Sequence, residues 1–459
     1  MRNHHFLIVC FPVHGHLNPS LELAHRLTDL GHYVTFATTV TGSHKITTVA
    51  NNNKKKTTTL LSFTTLSDGS DEQRTPNKST RNTTQFFDNL KLHGSRSLTN
   101  LFISNQQSHN PFTFVIYSLL FHWVADVATS FHIPSALLFV QPATLLVLYY
   151  YYFHGYGDTI PNKKLQGLPL LSTNDMPSFL FPSCPHACLL PLFKQQIEVL
   201  LDQKSQPKVV LVNTFDALES QALELAIDDG LKILGIGPLI PNFVSFDGSN
   251  IYHDDCIEWL NSKPNSSVVY VSFGSICVLS NTQKDEILYA LLESGFTFLW
   301  VMISGDQKEG KDECCDLLLQ GQGKIVSWCR QIEVLKHPSL GCFMSHCGWN
   351  STLESLSFGL PMVAFPQQVD QLTNAKLVED VWKVGVRVKA NLEGIIEKEE
   401  IRKCLELIMG RSRDDEQRRE GIVENAKKWK NLASQAIGEG GTSSFNLKSF
   451  VANIDKISG

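Results

Sequence analysis

The chain has 459 residues, 42% apolar and 19% charged, with a formal net charge of −5. That length exceeds one ordinary domain and can supply two cores, while the near-balanced charge removes any electrostatic case for nucleic acid or an anionic membrane as partner. Eleven cysteines, odd in number and without a repeating spacing, exclude a secreted disulfide scaffold and point to a reducing compartment.

In chain order, "FLIVC" (Phe6–Cys10) opens a buried strand spanning Phe6–Phe11. The run is short, meets Pro12 and lacks a small-residue cleavage site, so no secretory leader is expected. Next comes "PVHGHLNP" (Pro12–Pro19), read as a loop, and then a helix from Leu21 to about Gly31. His14 and His16 are each either a catalytic base at a strand-to-helix turn or a plain loop residue; the local sequence allows both. Tyr33–Thr38 reads as the second strand. Between Ala50 and Asn110 the pattern degrades, with "NNNKKKTTT" and "DGSDEQRTPNKSTRNTTQ" polar and expected to be exposed. Phe114–Tyr117 and Ser135–Val140 are strands. The apolar stretch Ser135–Phe153 approaches bilayer length, but Gln141, Pro142 and Thr144 interrupt it, so a strand, a turn and a helix are expected and no membrane span. "CPHAC" (Cys184–Cys188) has no second ligand pair nearby and is not read as a metal site. After a strand at Val209–Asn213, the Pro/Gly-containing stretch Gly235–Asn250 reads as a connector.

A second series of strands follows: Val268–Phe273, Phe298–Met302, Lys324–Val326, Gly341–Met344 and Pro361–Phe365. Alternating strands and helical patterns imply α/β architecture, with two doubly wound, Rossmann-like domains facing across a cleft and ligands held outside the carboxyl ends of the strands. The expected division is 1–240, a linker at 241–254, 255–441, and a C-terminal helix within 442–459 that packs on either domain, the N-terminal one included.

The chemistry concentrates in "WCRQIEVLKHPSLGCFMSHCGWNSTLESLSFGLPMVAFPQQVDQ", Trp328–Gln371. "GCFMSHCGWNSTLESL" is a strand, a glycine turn and a helix whose first turn carries Asn350 and Ser351. Backbone N–H groups and the helix dipole make such a start an anion site suited to a diphosphate, with Ser345 and His346 beside it. Glu354 lies one turn beyond Asn350 on the same face, where a carboxylate would accept both hydroxyls of a ribose. Trp328 offers a flat surface for a base, although a lone Trp is more often core. Asp370 and Gln371 follow the Pro361–Phe365 strand, at the same end of the sheet.

These forty-four residues, with HCGWNSxxE inside them, closely resemble the nucleotide-sugar signature of plant family 1 UDP-dependent glycosyltransferases, which have the GT-B fold. "VVYVSFGS" (Val268–Ser275), "SFGLPMV" and the opening "PVHGHLNP" extend the likeness to nearly the whole chain. It is weakest at Ala50–Asn110 and Lys163–Lys194, where acceptor loops are expected. The resemblance implies uracil stacked on Trp328 and bonded by the Cys329 backbone, and ribose held by Gln331 and Glu354. It implies a diphosphate held by Ser275, His346, Gly348, Asn350 and Ser351, and a hexose met by Trp349, Asp370, Gln371 and, from the first domain, Gln141. A final Gln in this signature tends to go with glucose, so UDP-glucose is the expected co-substrate. No DxD triplet occurs, so no metal and no other cofactor is expected. GxGxxG and GxxxxGK[ST] are also missing, which counts against a nicotinamide-dependent oxidoreductase or an NTPase. Four N-x-[ST] triplets, at Asn77, Asn82, Asn265 and Asn350, are read as unused in a cytoplasmic protein, since a glycan on Asn350 would block the phosphate site.

The same resemblance implies that His16 is the catalytic base and leaves His14 as loop or acceptor lining. Many family members pair this histidine with an aspartate; here that position is Ser118. Asp126, eight residues on, is read as a helix-surface residue. A base without a carboxylate partner favours acceptors already ionised or easily ionised, namely carboxylic acids and acidic phenols. "YSLLFHWVADVA", "QPAT…YYYYFHGYGD" and "LPLLSTNDMPSF" resemble the subgroup holding anthocyanin 5-O-glucosyltransferases and apocarotenoid ester glucosyltransferases. The expected function is inverting transfer of glucose from UDP-glucose to a hydroxyl or carboxylate of a small plant specialised metabolite such as a flavonoid, anthocyanin, phenolic or apocarotenoid acid. A C-glycosyltransferase or use of another UDP-sugar is the alternative within the class, and a catalytically silent sugar-nucleotide binder is the alternative outside it. The partners are then a UDP-sugar donor and an aromatic or carboxylate-bearing acceptor, with no nucleic acid. No sequence signal bears on oligomeric state, and a monomer is the default.

Overall fold

In the computed structural model of the chain the described residues are 3–50, 59–69, 83–201, 209–225, 231–241, 253–302, 321–410 and 412–454. The expected linker at 241–254 and the low-complexity runs after Ala50 lie largely outside them. Thirteen strands are found among these residues: β1 His5–Val9, β2 Tyr33–Thr39, β3 Leu61–Leu66, β4 Phe114–Ser118, β5 Ser135–Phe139, β6 Val209–Val212, β7 Lys232–Gly235, β8 Val268–Ser272, β9 Thr297–Val301, β10 Gly323–Val326, β11 Leu340–Ser345, β12 Met362–Ala364 and β13 Gly385–Arg387. The α-helices among them are α1 His14–Asp29, α2 Val40–Ala50, α3 Thr83–Gln106, α4 Trp123–Ser130, α5 Ala143–Tyr151, α6 Leu190–Leu201, α7 Asp216–Leu223, α8 His253–Asn261, α9 Asn281–Ser294, α10 Gln331–Leu335, α11 Trp349–Phe358, α12 Gln371–Lys376, α13 Lys398–Met409, α14 Glu416–Ile437 and α15 Thr442–Ala452.

The strands form two all-parallel sheets, ordered β3-β2-β1-β4-β5-β6-β7 and β10-β9-β8-β11-β12-β13. Each is a doubly wound, Rossmann-like sheet whose order reverses beside its first strand, between β1 and β4 and between β8 and β11. Both sheets are covered on both faces, which is why their central strands read as unbroken apolar runs: Phe6, Leu7, Ile8 and Val9 of β1 and Val268, Val269 and Val271 of β8 are fully buried. The expected fold class therefore stands: two Rossmann-like α/β domains.

The described residues fall into two compact units. The first takes those as far as 241, apart from Thr173–Pro177, and resumes at Gln435; the second takes Thr173–Pro177 and the residues from 253 to Ser434. The C-terminal division lies inside α14, ahead of the expected 441/442 junction. Helix α15 belongs to the first unit, where Phe450 packs edge-on against Phe114 of β4 at 5.2 Å and the Asn446 side chain donates to the Gly235 carbonyl at 2.9 Å.

Helix α1 begins seven residues before the expected Leu21. Val13 supplies an extended N-cap backbone, and Pro19 sits within the helix. Proline fits the helical φ, but it removes the ladder bond back to the Gly15 carbonyl and crowds that carbonyl. His14 and His16 are therefore first-turn helical residues and not loop residues. At Ser135–Phe153 the chain does run strand, turn, helix, and Glu219 holds the helix start: its buried carboxylate accepts the Ala143 and Thr144 N–H groups, each at 2.9 Å, and the Thr144 hydroxyl at 2.7 Å. Among the described residues no helix is long and apolar enough to cross a membrane.

Candidate active site

In the first unit the candidate base sits at the point where the strand order reverses. β1 delivers His16 through the first turn of α1, and β4, its neighbour, ends at Ser118. His16 Nδ1 lies 3.3 Å from Ser118 Oγ, and that oxygen accepts the Phe11 N–H at 2.9 Å. The imidazole packs on the Phe11 ring at 5.3 Å. The side chain keeps part of its accessible surface, but the ring is set into the protein between Phe11 and Ser118, and burial pushes its pKa down to about 4. His16 is thus neutral at pH 7, and a serine hydroxyl beside it adds no charge to reverse that shift. His14, on the same turn, is lowered by burial and then by Lys45. Asp126 is exposed in the first turn of α4, where a carboxylate suits the helix dipole. Gln141, 8% exposed, follows β5 and accepts the Tyr149 hydroxyl at 3.2 Å.

In the second unit every candidate donor residue lies beyond a strand's carboxyl end: Ser275 after β8, Trp328, Cys329 and Gln331 after β10, His346 to Glu354 after β11, and Asp370 and Gln371 after β12. The best-connected group is built around Gln331, whose amide nitrogen donates to Glu354 Oε2 at 2.6 Å and Ser351 Oγ at 3.3 Å. Its amide oxygen accepts the Tyr270 hydroxyl at 3.1 Å, and Tyr270 also meets the Cys329 sulfur at 3.2 Å. Burial raises the Glu354 carboxyl to about 7, partly offset by the Gln331 N–H. Burial likewise raises Cys329 to about 12, so its thiol is chemically idle.

Helix α11 starts with Gly348 as N-cap and no side-chain cap, and its ladder begins at Thr352 N–H to the Gly348 carbonyl, 3.0 Å. The positive end of the α11 dipole lies at this start, which favours an anion there. His346 lies against this start, held neutral by burial with its pKa pushed down to about 4. A Cβ on Gly348 would fall 2.5 Å from His346 Nε2 and one on Gly274 2.8 Å from it, so both glycines make room for the ring. Cys347 takes a left-handed φ of 61°, a strained turn that sends the chain from β11 into α11.

Asp370 and Gln371 stand where β12 feeds α12. Burial raises the Asp370 carboxyl to about 6, moderated by the Asn374 amide at 2.9 Å. Asn374 also donates to the Cys347 carbonyl at 2.9 Å, tying α12 to the turn before α11. Gln371 Oε1 accepts the Gln367 and Gln368 N–H groups at 2.9 and 3.0 Å, which fixes the orientation of its side-chain amide. Trp349 is buried against Trp382, ring centroids 5.9 Å apart. Ser275 is exposed and Trp328 and Asn350 are partly buried.

Tyr270, Gly274 and Asn374 were not singled out from the sequence, although each shapes this site. Tyr270 sits in "VVYVSFGS" as one more apolar strand position, and only the three-dimensional approach of the turn before α10 reveals its hydroxyl as the anchor of Gln331.

Residues 237–418 match the family model described as UDP-glucoronosyl and UDP-glucosyl transferase. The chain is 57% identical to mogroside I-E synthase of Siraitia grosvenorii over 96% of its length and 93% of that protein's. It is 44% identical to anthocyanidin 3-O-glucoside 5-O-glucosyltransferase of Verbena hybrida, over 99% of both chains. Among solved structures, Os79 from O. sativa in complex with UDP superposes with a TM-score of 0.83 at 28% identity, covering 98% of this chain and 100% of that one. The chain therefore belongs to the UDP-glucuronosyl and UDP-glucosyl transferase family and is a UDP-glycosyltransferase.

Proposed function

We propose that this enzyme transfers glucose from UDP-glucose to a hydroxyl or carboxylate of a small plant specialised metabolite, with inversion at the anomeric carbon and His16 as base. The carrying observation is the Gln331–Glu354–Ser351 hydrogen-bonded set on and beside the start of α11, which has glycine at its N-cap and no side-chain cap. It joins a carboxylate able to accept two ribose hydroxyls to an anion-binding helix end, the two fixed points of a nucleoside diphosphate. Trp328 would stack the uracil, with the Cys329 backbone bonding it. Ser275, His346, Gly348, Asn350 and Ser351 would hold the diphosphate, and Trp349, Asp370, Gln371 and Gln141 the hexose. The helix start supplies the positive field, so this reading requires no metal.

In the reaction the acceptor oxygen forms a bond to the anomeric carbon while the bond from that carbon to the phosphate oxygen breaks, its electron pair leaving with UDP. A hydroxyl acceptor gives its proton to His16 Nε2. That role assigns the Nδ1–H tautomer, with Ser118 Oγ accepting from both Nδ1–H and the Phe11 N–H through its two lone pairs. A carboxylate acceptor arrives ionised and needs no base. The anthocyanidin glucosyltransferase likeness supports aromatic hydroxyls as acceptors, and the neutral Ser118 partner favours acidic ones. None of the nine described cysteines is in a disulfide, which supports a reducing, cytoplasmic setting; we take a monomer as the working unit.

The test mixes enzyme, UDP-glucose and a panel of flavonoids, anthocyanidins and carboxylic acids, reading product mass. Hexosylated products are expected, with His16→Ala losing about a hundredfold to ten-thousandfold on hydroxyl acceptors. UDP-glucose binding with no hexosylated product from any acceptor would turn the reading toward a silent sugar-nucleotide binder.

A further inference from the structure

The stretch "LPLLSTNDMPSF" lies in the region expected to form acceptor loops, yet its Thr173–Pro177 segment belongs to the second unit. Asp175 is 4% exposed. Its Oδ1 pairs with Arg387 at 2.7 Å, its Oδ2 lies 3.7 Å from Lys376, and its carbonyl accepts the Thr373 hydroxyl at 2.6 Å. The Arg387 guanidinium also donates to the Asn174 carbonyl at 3.1 Å.

These partners surround α12, the helix that begins at Gln371. Residues three apart on a helix share a face, and residues two apart point in nearly opposite directions. Gln371 and Asn374 share the face bonded to the Gln367–Gln368 turn and the Cys347 carbonyl. Thr373 and Lys376 share the opposite face, and Asp175 takes both. The third partner, Arg387, sits in register with Ala364 at the end of β12, the strand that leads into Asp370 and Gln371. The Asp175 segment therefore backs the helix from behind and fixes both its ends.

We propose that Asp175 is a positioning residue for the donor sugar: by bracing α12 against Arg387 it sets Asp370 and Gln371 in register for the hexose of UDP-glucose. This rests on the reading of Asp370 and Gln371 as the hexose contacts. Lys376 pairs more closely with Asp380, so the cation that depends on the buried Asp175 carboxylate is Arg387, and loss of that carboxylate leaves Arg387 uncompensated and the helix free to shift. A displacement of about 1 Å remote from the chemistry can lower a rate by up to about a hundredfold.

The experiment compares wild type, Asp175→Asn, the charge-balanced Asp175→Asn/Arg387→Gln pair, Thr373→Val and Gln371→Ala. It measures kcat and KM for UDP-glucose and for UDP-galactose, and the dissociation constant of UDP, which carries no hexose. Asp175→Asn and the double variant should each lower kcat/KM for UDP-glucose about tenfold or more and narrow the glucose-over-galactose preference, with UDP affinity within about twofold of wild type. Thr373→Val should do the same more weakly, and Asp175→Glu should restore part of the loss. A merely structural role would reduce the active fraction or melting temperature and leave KM and the sugar preference of the surviving enzyme unchanged; that result overturns the proposal. If Gln371→Ala shifts the preference while the folded double variant does not, the bracing role fails alone. If Gln371→Ala itself leaves both constants unchanged, the underlying assignment of the hexose contacts fails instead.

Discussion

Glu354 offers a direct handle on the donor site, because its ionisation and its proposed ligand are coupled. Burial raises its carboxyl to about 7, so in the free enzyme it is about half protonated at neutral pH. Ribose hydroxyls donate into a carboxylate and favour its ionised form, so bound UDP-glucose should pull the group down and expel about half a proton at pH 7. The sign follows: affinity rises with pH. The free carboxyl is about one-eleventh ionised at pH 6 and ten-elevenths at pH 8, so a bound form that stays ionised predicts a dissociation constant about tenfold tighter at pH 8. Titration calorimetry with UDP-glucose and no acceptor, in two buffers of different ionisation enthalpy, reads both affinity and protons released. UDP-glucose is the ligand to use because UDP has a terminal phosphate that titrates in this range. Asp370, raised by burial to about 6, adds a smaller effect toward the acid end. Glu354→Gln separates the two: it should bind more weakly and lose most of the pH slope between 7 and 8. An affinity flat from pH 6 to 8 in the wild type, or the same slope in Glu354→Gln, would refute the assignment of Glu354 to the ribose.

Three further predictions concern positions outside the ribose contact. Ser118→Asp puts a carboxylate against His16 Nδ1, where an opposite charge raises a histidine by about 1–3 pH units; the acid limb of the rate profile should move up with it and the phenol-to-carboxylate rate ratio should increase, and an unchanged ratio would contradict the role given to Ser118. Gly348→Ala drives a Cβ to 2.5 Å from His346 Nε2, so affinity for UDP should fall about tenfold or more while the first unit's hydrogen bonds are untouched; calorimetry with UDP checks it, and wild-type affinity would remove the ring from the phosphate site. Glu219→Ala strips the start of α5 of the acceptor for two N–H groups and a hydroxyl, and should lower stability by about 1–3 kcal/mol in a denaturant titration; a change below about 0.5 kcal/mol would mean that other groups satisfy that helix end.

What the sequence made legible follows physical lines. The ten strands read from it are the ones buried on both faces or flanked by clear turns, and each is found within about two residues of its expected bounds. The three it missed, β3, β7 and β13, are all sheet edges. β3 exposes several of its residues, β7 runs directly into the presumed connector at Gly235, and β13 is three residues long. An edge strand is stabilised by one neighbour and needs no apolar run of its own, so its sequence carries little signal. The start of α1 was missed for a different reason: Pro19 and a glycine between two histidines look like a loop, and tertiary packing of Leu17 and Leu21 overrides that local preference. The long signature at Trp328–Gln371 carries most of the residues proposed to hold the donor. It could not expose Tyr270 and Asp175, which are distant in sequence, or Asn374, which lies just past its end and meets Asp370 and the Cys347 carbonyl only once the chain is folded.

The central claim is direct displacement at the anomeric carbon with His16 taking the acceptor proton, and the anomeric configuration of the product tests it most directly. Proton NMR of the glucoside formed from α-linked UDP-glucose, recorded at early conversion and compared between wild type and His16→Ala, reads it in one experiment. The account predicts a β-linked product from the wild type and almost none from the variant. An α-linked product would require a second displacement or a front-face reaction, and would contradict the mechanism.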